Sequence, residues 1–133
     1  VLVASPDYLA ESEEIAHPKD LSEQQCLGYK NFERHVWHLS QENDFESVDI
    51  KCRLTANEAT TLLHASLSGA GISMQPTYLA NSHIKDKTLC QILPEWKPHD
   101  MKVYALYSSR KHLPPAVRTL IDYLGEYFTK NPW

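Results

Sequence analysis

The side chains of this 133-residue chain that could do chemistry are its seven histidines, three cysteines, and a scatter of serines and carboxylates. Their spacing argues against most of the chemistry they could do. His35 and His38 are three apart, which on a strand turns them to opposite faces, so they do not form a metal site by themselves. His17, His64, His83, His99 and His112 stand among polar residues and read as solvated. Cys26, Cys52 and Cys90 are odd in number and widely spaced in apolar settings, the pattern of reduced core residues rather than of a disulfide framework or a zinc knuckle. Ser66 and Ser68 fall inside a predicted helix, not on the sharp strand-to-helix turn that exposes a nucleophile. The acidic run Glu11, Glu13, Glu14 reads as the solvated end of a helix, not as a catalytic carboxylate pair. Gly69-Ala70-Gly71 lacks the third glycine of a dinucleotide loop and closes a helix instead of opening one. These readings predict no catalytic residues, no metal and no cofactor.

What remains are helix starts that follow strands, at Ser5-Pro6, at Thr55 to Glu58 and at Gln75-Pro76-Thr77. A helix N-terminus offers unpaired N–H groups and partial positive charge, and in open α/β sheets such ends gather where the strands finish. A small anionic or polar ligand is the species such a place would hold.

The elements that must position these ends alternate. Val1 to Ser5 reads as a buried strand, Ser5 caps the helix opened by Pro6, and Pro18 to Gln24 is a short helix or turn. Gln25–Tyr29 and His35–Leu39 read as a hairpin-like pair around a polar turn from Lys30 to Arg34. Ser47 to Thr55 has the cleanest alternation, with Val48, Ile50, Cys52 and Leu54 on one face. Thr55 to Glu58 fits a capping box for a helix carrying Ala59, Leu62, Leu63, Ser66 and Leu67. Gly71–Gln75 is a strand, Pro76 starts a helix to about His83, and Leu89–Leu93 is a strand. After a proline-containing linker, Val103, Ala105 and Tyr107 alternate on a strand. Pro114-Pro115 then opens a helix whose stripe is Val117, Leu120, Ile121, Leu124 and Phe128. This order predicts an α/β fold with a mainly parallel sheet and a boundary near Asp100.

Thirteen basic against seventeen acidic residues give a formal charge of −4, the wrong sign for a phosphate-binding surface, so this segment is not expected to bind nucleic acid by itself. Apolar runs fall far short of the roughly 20 residues that cross a bilayer, and no signal-peptide core precedes the first charges. These features predict a cytoplasmic protein. A strand that begins at once at Val1, without an initiator methionine, suggests a piece of a longer chain.

Val3-Ala4-Ser5-Pro6 with Tyr8-Leu9, Asp20-Leu21 with Cys26-Leu27, and Trp37 occur in an order that resembles the effector-binding domain of LysR-type transcriptional regulators. The likeness continues through Asn57-Glu58-Ala59, Gly69-Ala70-Gly71-Ile72, Pro76 with Tyr78-Leu79, Leu89 with Ile92-Leu93-Pro94 and Trp96. It ends in Leu113-Pro114-Pro115, Val117-Arg118 and Ile121-Asp122-Tyr123-Leu124, so the whole chain is covered. The resemblance implies a periplasmic-binding-protein-like lobe of type 2, a three-layer α/β/α sandwich, with a small-molecule inducer between two lobes. Residues 1–100 are then the second lobe, and 101–133 a strand and helix returning to the first. The winged helix-turn-helix and the first half of lobe one are expected to precede this chain. The partners implied are a small-molecule effector such as an organic acid, further copies of the chain in a dimer or tetramer, and DNA only through the preceding domain.

Carried over position by position, the cleft-lining candidates are Ser5, Gly28, Tyr29, Lys30, Ala56, Asn57, Gln75 and Pro76. The chain departs from the family at Gln24, where His is frequent, and at Glu58, where Asp is frequent; both are expected near the cleft. A lobe of a periplasmic-type solute-binding protein shares this architecture and is the alternative.

Overall fold

The computed structural model describes residues 1–30, 35–100, 104–106 and 114–131. The chain divides into two compact units, Val1–Asp100 and Met101–Trp133. In the first, a five-stranded sheet is built from β1 (Leu2–Ala4), β2 (Gln25–Tyr29), β5 (Lys51–Ala56), β6 (Ile72–Met74) and β7 (Cys90–Ile92), in the spatial order β5-β2-β6-β1-β7. β3 (Val36–Gln41), β4 (Asp44–Asp49) and β8 (Lys97–Pro98) form a separate antiparallel sheet in the order β4-β3-β8.

β1 is an interior strand, between β6 and β7, and its unbroken apolar run follows from burial on both faces. Leu2 and Ala4 join the cluster that includes Leu21, Cys26, Trp37, Leu39 and Val48, whereas Val3 joins Leu63, Ala80 and Leu89 on the other side. The second cluster lies under α2 (Ala59–Leu67) and α3 (Thr77–Lys85); against the first pack α1 (Pro6–Glu11), the 3-10 helix Pro18–Glu23 and the small sheet. The lobe therefore has the layered mixed α/β architecture expected, with one outer layer made partly of strands.

β2 pairs in parallel with β5 and β6, but β1 runs antiparallel to both β6 and β7. Four strands thus share one direction, and β1, which lies between β6 and β7, opposes them. This reversal decides which residues meet at each end of the sheet.

Three local expectations are corrected. Gln25–Tyr29 and His35–Leu39 do not pair: the first lies in the five-stranded sheet, and the second corresponds to β3, whose partners are β4 and β8. The run from Ser47 to Thr55 is not one strand, because it leaves the small sheet at Ile50, whose N–H donates to the His35 carbonyl at 2.8 Å, and enters the large sheet as β5. Along β5 the register steps from Cys26↔Cys52 to Leu27↔Leu54, so Arg53 is an extra residue in a β-bulge. The bulge shifts the alternation by one place, and Leu54 ends up exposed. Finally, Thr55 belongs to β5, and α2 starts after Glu58 without a side-chain cap, so no capping box forms there.

In the second unit, α4 (Pro115–Lys130) follows Pro114, and its stripe of Val117, Leu120, Leu124 and Phe128 is exposed. Residues 104–106 are not in a strand. Val103, Tyr107, His112, Leu113 and the turn residues 31–34 lie outside the described residues.

Candidate functional site

Because β2, β5 and β6 run in parallel, their C-terminal ends fall side by side. β2 finishes at Tyr29 opposite Ala56 of β5, and the Lys30 N–H continues the ladder by donating to the Ala56 carbonyl at 2.7 Å. β6 finishes at Met74, next to Leu2, and Gln75 closes this end through its backbone: its N–H donates to the Val1 carbonyl at 2.8 Å, and its carbonyl accepts from the Val1 nitrogen at 2.9 Å. One sheet end therefore gathers Gly28, Tyr29 and Lys30, then Ala56 and Asn57, then Gln75 and Pro76. Asn57 and Gln75 follow strands separated by β2 alone, which at two strand spacings places them about 10 Å apart.

The same end receives two helix starts. α2 begins at Ala59 after Asn57-Glu58, and α3 begins at Thr77 with Pro76 as its N-cap; neither has a side-chain cap bond. First-turn N–H groups without an internal acceptor make a partially positive rim, and the exposed Lys30 adds a full charge. Asn57 is exposed, Tyr29, Ala56 and Pro76 are half-buried, and Gly28 is buried. The arrangement favours an acceptor-bearing small molecule laid across the strand ends.

Ser5 is not part of it. Since β1 is reversed, its C-terminal end is at the opposite edge, where a Cβ on Gly69 would stand 3.7 Å from Ser5 Oγ. Ser5 is a cap: its Oγ accepts from Tyr8 N–H at 3.2 Å, and Pro6 follows at the first helical position. Ser5→Ala is thus expected to cost about 1 kcal/mol in urea melts, the worth of an N-cap. Gln24 also lies at the far end, before the start of β2, where its Oε1 accepts from the Tyr8 hydroxyl at 2.9 Å. An open recess of about 440 Å³ lined by Tyr8, Glu11, Glu13, Gln24 and Arg53 occupies this far end, away from the gathered strand ends. Glu58, in contrast, lies at the start of α2, at the same sheet end as Asn57.

Gln75 reaches the site end, but its side chain is 2% exposed and turns under the sheet, where Nε2 donates to Ser73 Oγ at 3.0 Å. Sequence reasoning missed this inward partner, although Ser73 and Gln75 are two apart and so share a face. The helix start read at Gln75-Pro76-Thr77 is present, with α3 opening at Thr77.

The remaining reactive groups have structural settings. Among the described residues no cluster of three or more His, Cys, Asp or Glu is placed to hold a metal, and no helix is long and apolar enough to cross a membrane. None of the three cysteines is in a disulfide. Burial pushes the Cys26 thiol up to about 12. The folded state holds that proton more tightly than the unfolded chain does. The thiol's contribution to stability is therefore present below the ordinary thiol range and is lost as pH rises through it toward 12. Iodoacetamide at mildly alkaline pH is expected to leave Cys26 unlabelled in the native protein and to label it after denaturation, with peptide mass mapping as the readout.

The chain as a whole is similar to known proteins. Residues 1–129 match the family model of the LysR substrate binding domain. The chain is 31% identical over 134 aligned residues to the HTH-type transcriptional regulator PtxR of Pseudomonas aeruginosa, covering 100% of this chain and 43% of that protein. It is 28% identical over 133 residues to the HTH-type transcriptional regulator DmlR of Escherichia coli, covering 98% and 43%. Among solved structures, the full-length virulence activator AphB of Vibrio cholerae superposes with a TM-score of 0.82 at 28% identity, over 96% of this chain and 44% of that one. The regulatory domain of AphB from Vibrio vulnificus superposes with a TM-score of 0.75 at 32% identity, over 96% and 63%. The chain spans less than half the length of these curated relatives.

Proposed function

Since this chain belongs to the LysR substrate-binding domain family, we propose that it carries the second lobe of an effector sensor, which takes a small organic acid at the sheet end formed by β2, β5 and β6. Residues 1–100 are this lobe, and 101–133 return to the other lobe, against which the exposed stripe of α4 packs. The effector lies between the lobes, touching Lys30, Asn57 and the main chain around Gly28, Tyr29, Ala56 and Pro76. Ser5 drops out of the set on its position.

The observation that supports this most is the convergence of three strand ends, two uncapped helix starts and Lys30 at one edge. An effector that binds the closed form of the two lobes better than the open form shifts their balance. That shift biases a homodimer or tetramer in the cytoplasm, which contacts DNA through a segment outside this chain. The relatives are HTH-type transcriptional regulators, which favours this reading over a solute-binding lobe of a transport system and over an enzyme.

A thermal-shift screen of the full-length protein against organic acids, amino acids, sugars and amines tests the proposal. A ligand at a hundred times its Kd adds about 2.7 kcal/mol to the folded state, so a matching acid produces a clear rise in melting temperature. A rise with sugars or amines and none with acids contradicts the assignment of a carboxylate effector.

A further inference from the structure

Beneath the gathered strand ends lies a buried polar chain that core packing does not explain. Ser66 of α2, Ser73 of β6 and Gln75 are 0%, 0% and 2% exposed. Ser73 is the register partner of Val3, and Ser66 projects from α2, the helix that with α3 covers the Val3 face of the sheet. Ser66 Oγ donates to Ser73 Oγ at 2.7 Å, and Gln75 Nε2 donates to that same oxygen at 3.0 Å. Gln75 Oε1 has no partner, alone among the buried side-chain nitrogens and oxygens of the described residues.

An orphan acceptor in the interior is unfavourable, and an apolar side chain of similar shape is neutral or better there. Stability therefore gives no reason for a glutamine at this position. Its location does suggest one. Gln75 is the last residue before Pro76 and the start of α3, and both its backbone groups are tied to Val1. The main chain is fixed, so the side chain is the part left to move.

We propose, resting on the effector reading above, that Gln75 is a specificity-determining residue of the site. Its carboxamide, which Ser73 holds inside, turns outward to donate Nε2–H to the carboxylate when an effector binds. Turning out gives up one hydrogen bond, relieves the orphan Oε1, and leaves the bond between Ser66 and Ser73 in place. Two states so closely matched are tipped by a ligand that contacts only one of them. Ser73, and Ser66 behind it, are positioning residues, since they act through Gln75.

The test compares Gln75→Met and Ser73→Ala in the full-length protein, with succinate and benzoate as probes, reading the ligand-free melting temperature and the affinity by calorimetry. Without ligand, Gln75→Met is expected to melt higher by roughly two to four degrees, because the orphan is gone. Its affinity for the responding acid should fall roughly fivefold or more, the worth of one hydrogen bond. Ser73→Ala should tighten binding, because it releases the carboxamide, whereas a purely structural role weakens binding in both variants. The proposal is overturned if Gln75→Met melts lower than the parent protein, binds equally well, or is matched by a loss of similar size in Ser73→Ala. If the parent protein responds to neither acid, the carboxylate reading of the site falls and this proposal falls with it.

Discussion

Gly71→Ala should unfold the first unit or leave it barely folded, with a loss of about 3 to 5 kcal/mol from backbone strain and overpacking together. Gly71 has φ +148°, and a Cβ there would stand 2.3 Å from the Gln25 carbonyl oxygen and 3.0 Å from its carbon. Both are main-chain atoms at the start of β2, so no flexible side chain can give way. Relief requires β6 to move off β2, which breaks the pairing of Cys26 with Ile72 and Leu27 with Ser73. That strand also carries Ser73 and delivers Gln75 and Pro76, so effector binding is lost with the fold. Gly125→Ala is the control: it lies within α4, a Cβ meets nothing within 4 Å, and the change should stabilise the helix by up to about 1 kcal/mol. Urea denaturation of the two variants should therefore move in opposite directions.

Trp37→Ala should cost about 3 to 5 kcal/mol, the usual penalty for truncating a buried aromatic. Trp37 is 1% exposed and leads the fully buried side chains in volume. It faces Val48 across the β3–β4 ladder and belongs to the cluster that includes Leu2, Leu21, Leu39 and Ile92. The cluster draws residues from both sheets, so the cavity opens where the small sheet packs against the large one. Phe45→Ala, eight positions on in the same ladder but 79% exposed, should change stability by no more than about 0.5 kcal/mol. Equal losses in the two variants would contradict this placement of the core.

Much of the fold was legible because the signals were local. Ser5-Pro6, Pro76 and Pro114-Pro115 mark helix starts through backbone geometry that does not depend on tertiary partners. Gly69, at φ +78°, closes α2 as its sequence context suggested. Short apolar runs at Val1–Ser5 and Gly71–Gln75 could only be buried strands in a chain of this composition. The errors arose where partners are distant in sequence. Nothing in Leu2-Val3-Ala4 tells whether its neighbours run with it or against it; Ser5 and Gln24 were carried over from the family resemblance, and they lie at the sheet end opposite Asn57 and Lys30. The alternation from Val48 through Leu54 is continuous in sequence, yet the strand changes sheets at Ile50 and bulges at Arg53, because pairing with His35 and Cys26 overrides the pattern.

The candidate site was legible in the same uneven way. Asn57 and Pro76 were reachable from the rule that ligands gather beyond parallel strand ends, Lys30 came with the family resemblance, and the three share one end of the sheet. The inward turn of Gln75 was not, because it depends on Ser73, which is bonded in turn to Ser66, a residue that its helical spacing had marked only as part of an apolar stripe.

The effector is expected at the sheet end that carries Lys30 and Asn57 and not at the end that carries Ser5. Calorimetric titration of the acid that gives the largest thermal shift, into Lys30→Ala, Asn57→Ala and Ser5→Ala forms of the full-length protein, measures this directly. The first two should weaken binding by about tenfold or more, as loss of a charged or buried hydrogen bond does, with Ser5→Ala unchanged. Weakening by Ser5→Ala, with Lys30→Ala and Asn57→Ala unaffected, would put the effector at the opposite edge and contradict the assignment.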